Sequence, residues 1–205
     1  MKMNLPNKLT VLRMIMVPFF VGFILLSPKV LWFKWIALGL FIIASLTDML
    51  DGKIARKYNL ITNFGKFMDP LADKLLVCSA LICLTDLNVI PAWITIVIIA
   101  REFIISGFRL IAAEKGVVIA AGKSGKWKTA VTMVMICFML CVVNTQGFLS
   151  KAAAYEPASI EGIHSAYWVL YIIGYVLMIA ALVLTVVSLI DYLIKNKDVM
   201  KDEVD

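Results

Sequence analysis

Four aspartates lie close together in the first half of the sequence and are the side chains best suited to chemistry: Asp48, Asp51, Asp69 and Asp73. Asp48 and Asp51 are three residues apart and Asp69 and Asp73 are four apart, so each pair shares one face of a helix. Carboxylates crowded at the ends of apolar segments repel one another unless cations neutralise them. A bound divalent metal is the simplest interpretation, and oxygen ligands favour Mg²⁺, Mn²⁺ or Ca²⁺. The alternative is a set of solvated acids at helix ends.

The composition predicts the kind of scaffold that positions these acids. Of the 205 residues 62% are hydrophobic, and the mean hydropathy is +0.93, whereas soluble domains are about 45–50% apolar. The apolar runs do not alternate with polar residues as in a membrane barrel. We therefore expect an all-α integral membrane protein with six transmembrane helices, a short N-terminal interfacial helix and a polar metal site facing the cytoplasm. Residues 1–205 form one domain, with an interfacial segment at 1–10 and a cytoplasmic tail at 195–205.

The apolar stretches set the expected bounds of the helices, because a span needs about 20 such residues. Asp69 followed by Pro70 is a typical helix start, an N-cap and a first helical position, and predicts that the third span begins there after Gly65. A link rich in Gly and Lys is expected at 115–128, and the longest loop at 149–165. The other spans are expected at 11–26, 32–56, 92–113, 129–148 and 166–194.

The charges indicate orientation rather than nucleic-acid binding. The net charge is +6, but the basic residues are dispersed at span ends, a pattern typical of membrane topology and of contact with anionic lipid or phosphate. Only Lys29, Lys34 and Lys151 lie clearly on the side opposite the aspartates, which places the aspartates in the cytoplasm. The four cysteines all lie in apolar runs and are interpreted as buried core residues, so no zinc or redox site is expected.

The aspartates belong to a longer pattern, D-x-x-D-G-x-x-A-R-x(8)-G-x-x-x-D-x-x-x-D, which covers residues 48–73. This pattern resembles the signature of the CDP-alcohol phosphotransferase family at every fixed position, and a motif with so many fixed residues is specific. Members of that family transfer a phosphatidyl or similar group from a CDP-linked donor to an alcohol and release CMP. The resemblance implies two ions, Mg²⁺ or Mn²⁺, held by the four aspartates, with Asp73 also acting as the base. It also implies a homodimer.

Donor-binding residues are expected around this motif. Asn7, Thr10 and Arg13 recur every three residues near the N-terminus, and similar residues in the family lie close to the nucleotide. The alternative is an ordinary amphipathic anchor with a snorkelling arginine. Gly52 and Ala55 lack bulk, which leaves room for a nucleotide, although small residues also favour plain helix packing. Arg56 can bind a phosphate through two hydrogen bonds, and Gly65 completes the expected donor site.

A phosphate-bearing acceptor would need cations near the metals. The candidates on the same side of the membrane are Arg101, Arg109, Lys123, Lys126 and Lys128. The alternative for the lysines is flanking charge that sets topology, whereas Arg101 lies within an apolar run at a cost of several kcal/mol unless it is paired or hydrated. Glu102 projects about 100° away from Arg101 on a helix, so we do not expect it to be the partner.

Further matches at residues 4–13, 68–74, 100–102 and 125–129 are similar to the family members that use glycerol 3-phosphate. They imply that CDP-diacylglycerol and glycerol 3-phosphate react to give phosphatidylglycerophosphate and CMP, in a membrane of phospholipid. The alternatives within the family are the synthases of cardiolipin, phosphatidylserine and phosphatidylinositol phosphate. A cation transporter is the alternative from another class, but such transporters have interrupted spans in corresponding halves and acids at the midplane.

Overall fold

The fold is taken from a computed structural model of the chain. It describes residues 4–30, 32–57, 63–114, 122–155 and 160–196. Within these ranges the side chains of residues 5, 49–57, 63–64, 66–67, 114, 123, 146–155 and 160–167 lie outside the description. All regular structure in the described part of the chain is helical. The helices are α1 (Leu5–Leu26), α2 (Trp32–Lys57), α3 (Asn63–Asp86), α4 (Ala92–Glu114), α5 (Lys123–Tyr155) and α6 (Ile160–Lys195).

The helices differ from the expected ones in four places. Helix α5 begins at Lys123, inside the link expected at 115–128, so that prediction was wrong. The interfacial segment and the first span form one continuous helix, α1. Helix α3 begins at Asn63, so the prediction that Asp69 caps a helix and Pro70 begins it was wrong, and Pro70 lies inside α3. A proline inside a membrane helix is tolerated when neighbouring helices pack around it, and α3 packs against α1 here. The expected loop at 149–165 is largely helical, since α5 extends to Tyr155 and α6 begins at Ile160.

Two groups of helices pack together. Helix α1 packs against α2 and α3, and α6 packs against α5 and α4, while α2 and α5 join the two groups. The core contains fully buried aromatic residues such as Phe20 and Phe41, whose ring centroids are 5.8 Å apart. This packing holds the polar ends of α1, α2 and α3 next to one another.

The outer surface is apolar, as expected for a protein in lipid. Ile172, Val176 and Val183 of α6 are each more than half exposed, and a water-soluble protein would rarely expose such a continuous stripe. Among the residues that the structure describes, three segments are long and apolar enough to cross a membrane: Pro6–Leu26, Ser124–Thr145 and Trp168–Lys195. The chain is therefore an all-helical membrane protein. The helices α2, α3 and α4 have 26, 24 and 23 residues, and the shortest of these measures roughly 35 Å.

Candidate active site

The polar strip of α1 faces inwards. Thr10 and Arg13 are fully buried and Asn7 is nearly so, although α1 otherwise has many lipid-facing residues. An arginine of an ordinary amphipathic anchor would extend its charge towards water. A buried guanidinium instead needs acceptors within the protein, and the acidic motif supplies them.

Two aspartates of the motif are bound by this strip. The Thr10 hydroxyl donates a hydrogen bond to Asp69 Oδ1 at 2.5 Å, and Arg13 Nη1 donates to Asp48 Oδ1 at 2.5 Å. Asp48 lies near the end of α2 and Asp69 in the first half of α3. Helix α1 therefore contacts both halves of the motif and fixes one carboxylate in each half. The proximity of Asn7, Thr10 and Arg13 to a nucleotide stays a prediction.

Asp73 lies one turn after Asp69 and lines a small pocket. The pocket is also lined by Lys74, Glu102, Lys128 and Thr132, so it lies between α3, α4 and α5. Asp73 is half-buried there. It thus lies beside two cationic side chains from different helices.

The motif is described only in part. In the described residues no three His, Cys, Asp or Glu side chains are grouped closely enough to hold a metal ion together. The side chain of Asp51, the second aspartate of the motif, lies outside the described set. The same holds for the side chains of Ala55 and Arg56 and for the contacts around Gly52. Gly65 is buried. The donor set still has the chemistry of a site for a hard cation, because it consists of carboxylates at the facing ends of α2 and α3.

A second group of charges joins α4, α5 and α6. Glu102 Oε1 accepts hydrogen bonds from Lys128 Nζ and from Arg101 Nη1, the latter at 3.3 Å. Arg101 Nη2 donates to Ser188 Oγ at 2.5 Å. The expectation that Glu102 would not be the partner of Arg101 was wrong. The 100° between neighbouring residues applies to Cα–Cβ directions, and two long side chains can turn towards the same point.

Two of the other predicted acceptor cations lie outside this group. Lys126 is exposed, and Arg109 is exposed with its guanidinium 5.9 Å from the centre of the Tyr192 ring. Lys123 has its side chain outside the described set. Of the four predicted cations whose side chains are described, the structure therefore brings Arg101 and Lys128 together next to the acidic motif.

Sequence reasoning did not single out the polar residues of α6. Ser188 binds Arg101, and Asp191 accepts a hydrogen bond from Ser124 at 2.8 Å. These residues, with Thr185 and Tyr192, recur at the spacing of one helix face, and that spacing in the last apolar stretch was a usable signal. For Glu102, the angle of about 100° from Arg101 on the helix led to the wrong prediction of its partner.

Comparison with known proteins decides the family. The family model described as CDP-alcohol phosphatidyltransferase matches residues 3–187. The chain belongs to this family. Family members generally depend on a divalent metal. The resemblance read from the acidic motif is thereby confirmed.

Relatives resemble the chain over most of its length. One, from Bacillus subtilis (strain 168), is called CDP-diacylglycerol–glycerol-3-phosphate 3-phosphatidyltransferase and is 40% identical over 97% of each chain. Another of that name, from Escherichia coli (strain K12), is 36% identical over 94% of each chain. A probable phosphatidylglycerophosphate synthase from Mycobacterium tuberculosis (strain ATCC 25618 / H37Rv) is 37% identical over 92% of this chain and 79% of its own.

Removing the hydroxyl that binds Asp69 should weaken activity without unfolding the protein. Thr10→Val keeps the shape of the side chain but leaves Asp69 without this donor, so we expect turnover to fall by about tenfold. Thr10→Ser keeps the hydroxyl and should retain most of the activity. Initial rates of CMP release from equal amounts of folded protein measure the effect. Equal rates for Thr10→Val and the wild type would show that the hydrogen bond has no functional role.

Proposed function

We propose that this enzyme transfers the phosphatidyl group of CDP-diacylglycerol to glycerol 3-phosphate, giving phosphatidylglycerophosphate and CMP in phospholipid biosynthesis. Relatives that bear this activity in their names match the chain nearly from end to end. The structural observation that carries the proposal is the pocket shared by Asp73 and Lys128. A general base and a cation for an anionic acceptor must lie side by side for this reaction.

The proposed transfer needs a base on the acceptor side. A hydroxyl oxygen of glycerol 3-phosphate forms a bond to the phosphorus that carries diacylglycerol. The bond from that phosphorus to the bridging oxygen of the diphosphate breaks, and CMP leaves with the electron pair. The hydroxyl proton passes to Asp73, the acid that lines the pocket. A carboxylate acts as a general base when it lies within hydrogen-bonding reach of the proton it accepts.

The metal ions are proposed to be two Mg²⁺ or Mn²⁺ ions, held by Asp48, Asp51, Asp69 and Asp73. Bound there, they would supply positive charge where the diphosphate is cleaved. Arg13 and Thr10 fit this arrangement, because each contacts one carboxylate oxygen and orients the group. Outer contacts of this type orient metal ligands in proteins.

The donor is proposed to lie with its acyl chains in the lipid and its head group at the acidic motif. Nucleotide and diphosphate contacts are proposed for the residues predicted from the motif and the α1 strip. Those residues are Asn7, Thr10, Arg13, Gly52, Ala55, Arg56 and Gly65. The lipid-facing apolar surface of the helices is compatible with a donor that stays in the bilayer.

The proposed location is the cell membrane, with six spans and with both termini and the active site in the cytoplasm. Lys and Arg are concentrated on the side of the motif, which is the pattern of cytoplasmic segments. A homodimer is proposed from the resemblance to the family.

The test is release of CMP from CDP-diacylglycerol by purified protein with Mg²⁺ and one alcohol at a time. We expect release with glycerol 3-phosphate and little with inositol phosphate, serine or phosphatidylglycerol. Release with another of these alcohols alone would keep the chemistry and overturn the acceptor. No release with any alcohol, from folded protein, would overturn the enzyme assignment in favour of a transporter.

A further inference from the structure

Glu102 lies at a junction of three helices. Its Oε1 atom accepts hydrogen bonds from Arg101 on α4 and from Lys128 on α5, and Arg101 in turn donates to Ser188 on α6. Gly125 of α5 passes close to this group, since a Cβ atom there would lie 3.6 Å from Arg101 Nη2. One carboxylate oxygen therefore couples two cations that lie on different helices, α4 and α5.

The three charges differ in burial. Lys128 is 1% exposed and Arg101 7%, whereas the side chain of Glu102 is 20% exposed and lines the pocket with Asp73. An ammonium group as buried as that of Lys128 is costly unless it is paired. Glu102 is its hydrogen-bonded acidic partner among the described contacts, so the position of the Lys128 ammonium depends on Glu102.

The group retains capacity to bind an anion. Two cations and one carboxylate leave a formal charge of +1. A lysine ammonium has three donors and an arginine guanidinium has five, which is more than the described hydrogen bonds of Lys128 and Arg101 use. In the described part of the chain, Arg101 Nε is buried without a hydrogen-bond partner. The pairing with Glu102 thus holds cations in place without saturating them.

We infer that Glu102 is a positioning residue for acceptor recognition: it holds Lys128 in place at the wall of the Asp73 pocket, where the ammonium meets the phosphate of the acceptor. Arg101 supports this arrangement, because it donates one hydrogen bond to Glu102 and another to Ser188 of α6. This inference rests on the proposed function, because it assigns a role within acceptor binding. It gives no chemical step to Glu102.

The inference predicts an effect opposite in sign to that of simple electrostatics. An acid on the wall of an anion site repels the anion, so its removal alone should lower the KM for glycerol 3-phosphate. If Glu102 works by holding Lys128, its removal should raise that KM, because the ammonium is no longer held at the pocket wall. If Glu102 only stabilised the packing of the helices, its removal would lower the stability of the protein and change all kinetic constants together.

The experiment compares Glu102→Gln, Glu102→Asp and the wild type in detergent–lipid micelles by CMP release, varying each substrate in turn. We expect Glu102→Gln to raise the KM for glycerol 3-phosphate by about tenfold or more, since one partner of a buried charge pair is lost. The KM for CDP-diacylglycerol should stay within about twofold, and Glu102→Asp should recover part of the loss. Asp86→Asn is the matched control, because Asp86 is an exposed acid at the C-terminal end of α3. This variant should behave as the wild type.

A double-mutant comparison tests whether Glu102 acts through Lys128. The KM for glycerol 3-phosphate of Glu102→Gln/Lys128→Met should be no higher than that of Lys128→Met alone, because the two residues act as one unit. Additive effects would overturn the inference. An unchanged or lowered KM in folded Glu102→Gln would also overturn it, as would an equal loss in all constants with a lowered Tm.

The wild type separates this inference from the proposed function. If the wild type releases CMP with glycerol 3-phosphate and the KM of Glu102→Gln is unchanged, only the role of Glu102 fails. If the wild type releases CMP with no alcohol, the proposed function fails and so does the inference. If it responds to a different alcohol alone, the acceptor assignment and the glycerol 3-phosphate role of Glu102 both fail.

Discussion

Replacing Asp73 with asparagine is expected to lower CMP release at least about a thousandfold, because the variant loses both a base and a metal ligand. Asparagine has nearly the same shape and fits the same half-buried position between α3, α4 and α5. The protein should therefore remain folded. The measurement is the initial rate with saturating CDP-diacylglycerol, glycerol 3-phosphate and Mg²⁺, with size-exclusion profile and thermal unfolding as tests of folding.

The control for this prediction is Asp86→Asn, which removes an acid from the same helix at its other end. Asp86 is exposed and is the last residue of α3, so its loss should leave the rate unchanged. A folded Asp73→Asn protein with a rate near that of the wild type would remove Asp73 from the chemistry. The base would then have to be sought among the other acids.

Arg13→Met is expected to lower both stability and activity. Arg13 is fully buried and its guanidinium neutralises Asp48, which is 35% exposed. Methionine fills part of the space but leaves Asp48 without its counter-charge, and loss of such a partner costs about 1–3 kcal/mol. We expect the Tm in detergent to fall by about 5 °C, and activity to fall by about a hundredfold because Asp48 loses its orientation.

Two variants separate the charge of Arg13 from its geometry. Arg13→Lys keeps the charge but cannot reproduce the planar guanidinium contact, so it should recover more stability than activity. Lys29→Met removes an exposed cation next to the other end of α1 and should change neither quantity. An Arg13→Met protein as stable and as active as the wild type would show that the Arg13–Asp48 contact is incidental.

Much of the fold follows from the sequence because the bilayer restricts the structures that a chain can adopt within it. Long apolar runs must be helical in lipid, where each backbone polar group needs an internal partner, and the order and approximate position of all six helices were predicted. Helix ends were less predictable. Asp69 and Pro70 have the chemistry of a helix start, but packing against α1 extends α3 back to Asn63. Helix α5 likewise continues to Tyr155, through a stretch whose polarity indicates a loop.

The site was predictable where its residues are close in sequence. The spacing of the aspartates placed them on shared helix faces, and the three-residue period of Asn7, Thr10 and Arg13 indicated a common direction. The contacts of Thr10 with Asp69 and of Arg13 with Asp48 are long-range, and no local pattern specifies them. The same reason explains Glu102. Its partner Lys128 lies on another helix, and only packing of α4, α5 and α6 brings the two together.

The most direct test of the account follows both products of one turnover. Purified protein is given CDP-diacylglycerol, Mg²⁺ and glycerol 3-phosphate labelled in its carbon skeleton, and CMP and labelled lipid are counted together. The account predicts one labelled phosphatidylglycerophosphate for each CMP released, and neither product from Asp73→Asn. CMP without labelled lipid would mean that water is the acceptor, and labelled lipid from Asp73→Asn at the wild-type rate would contradict the assigned site.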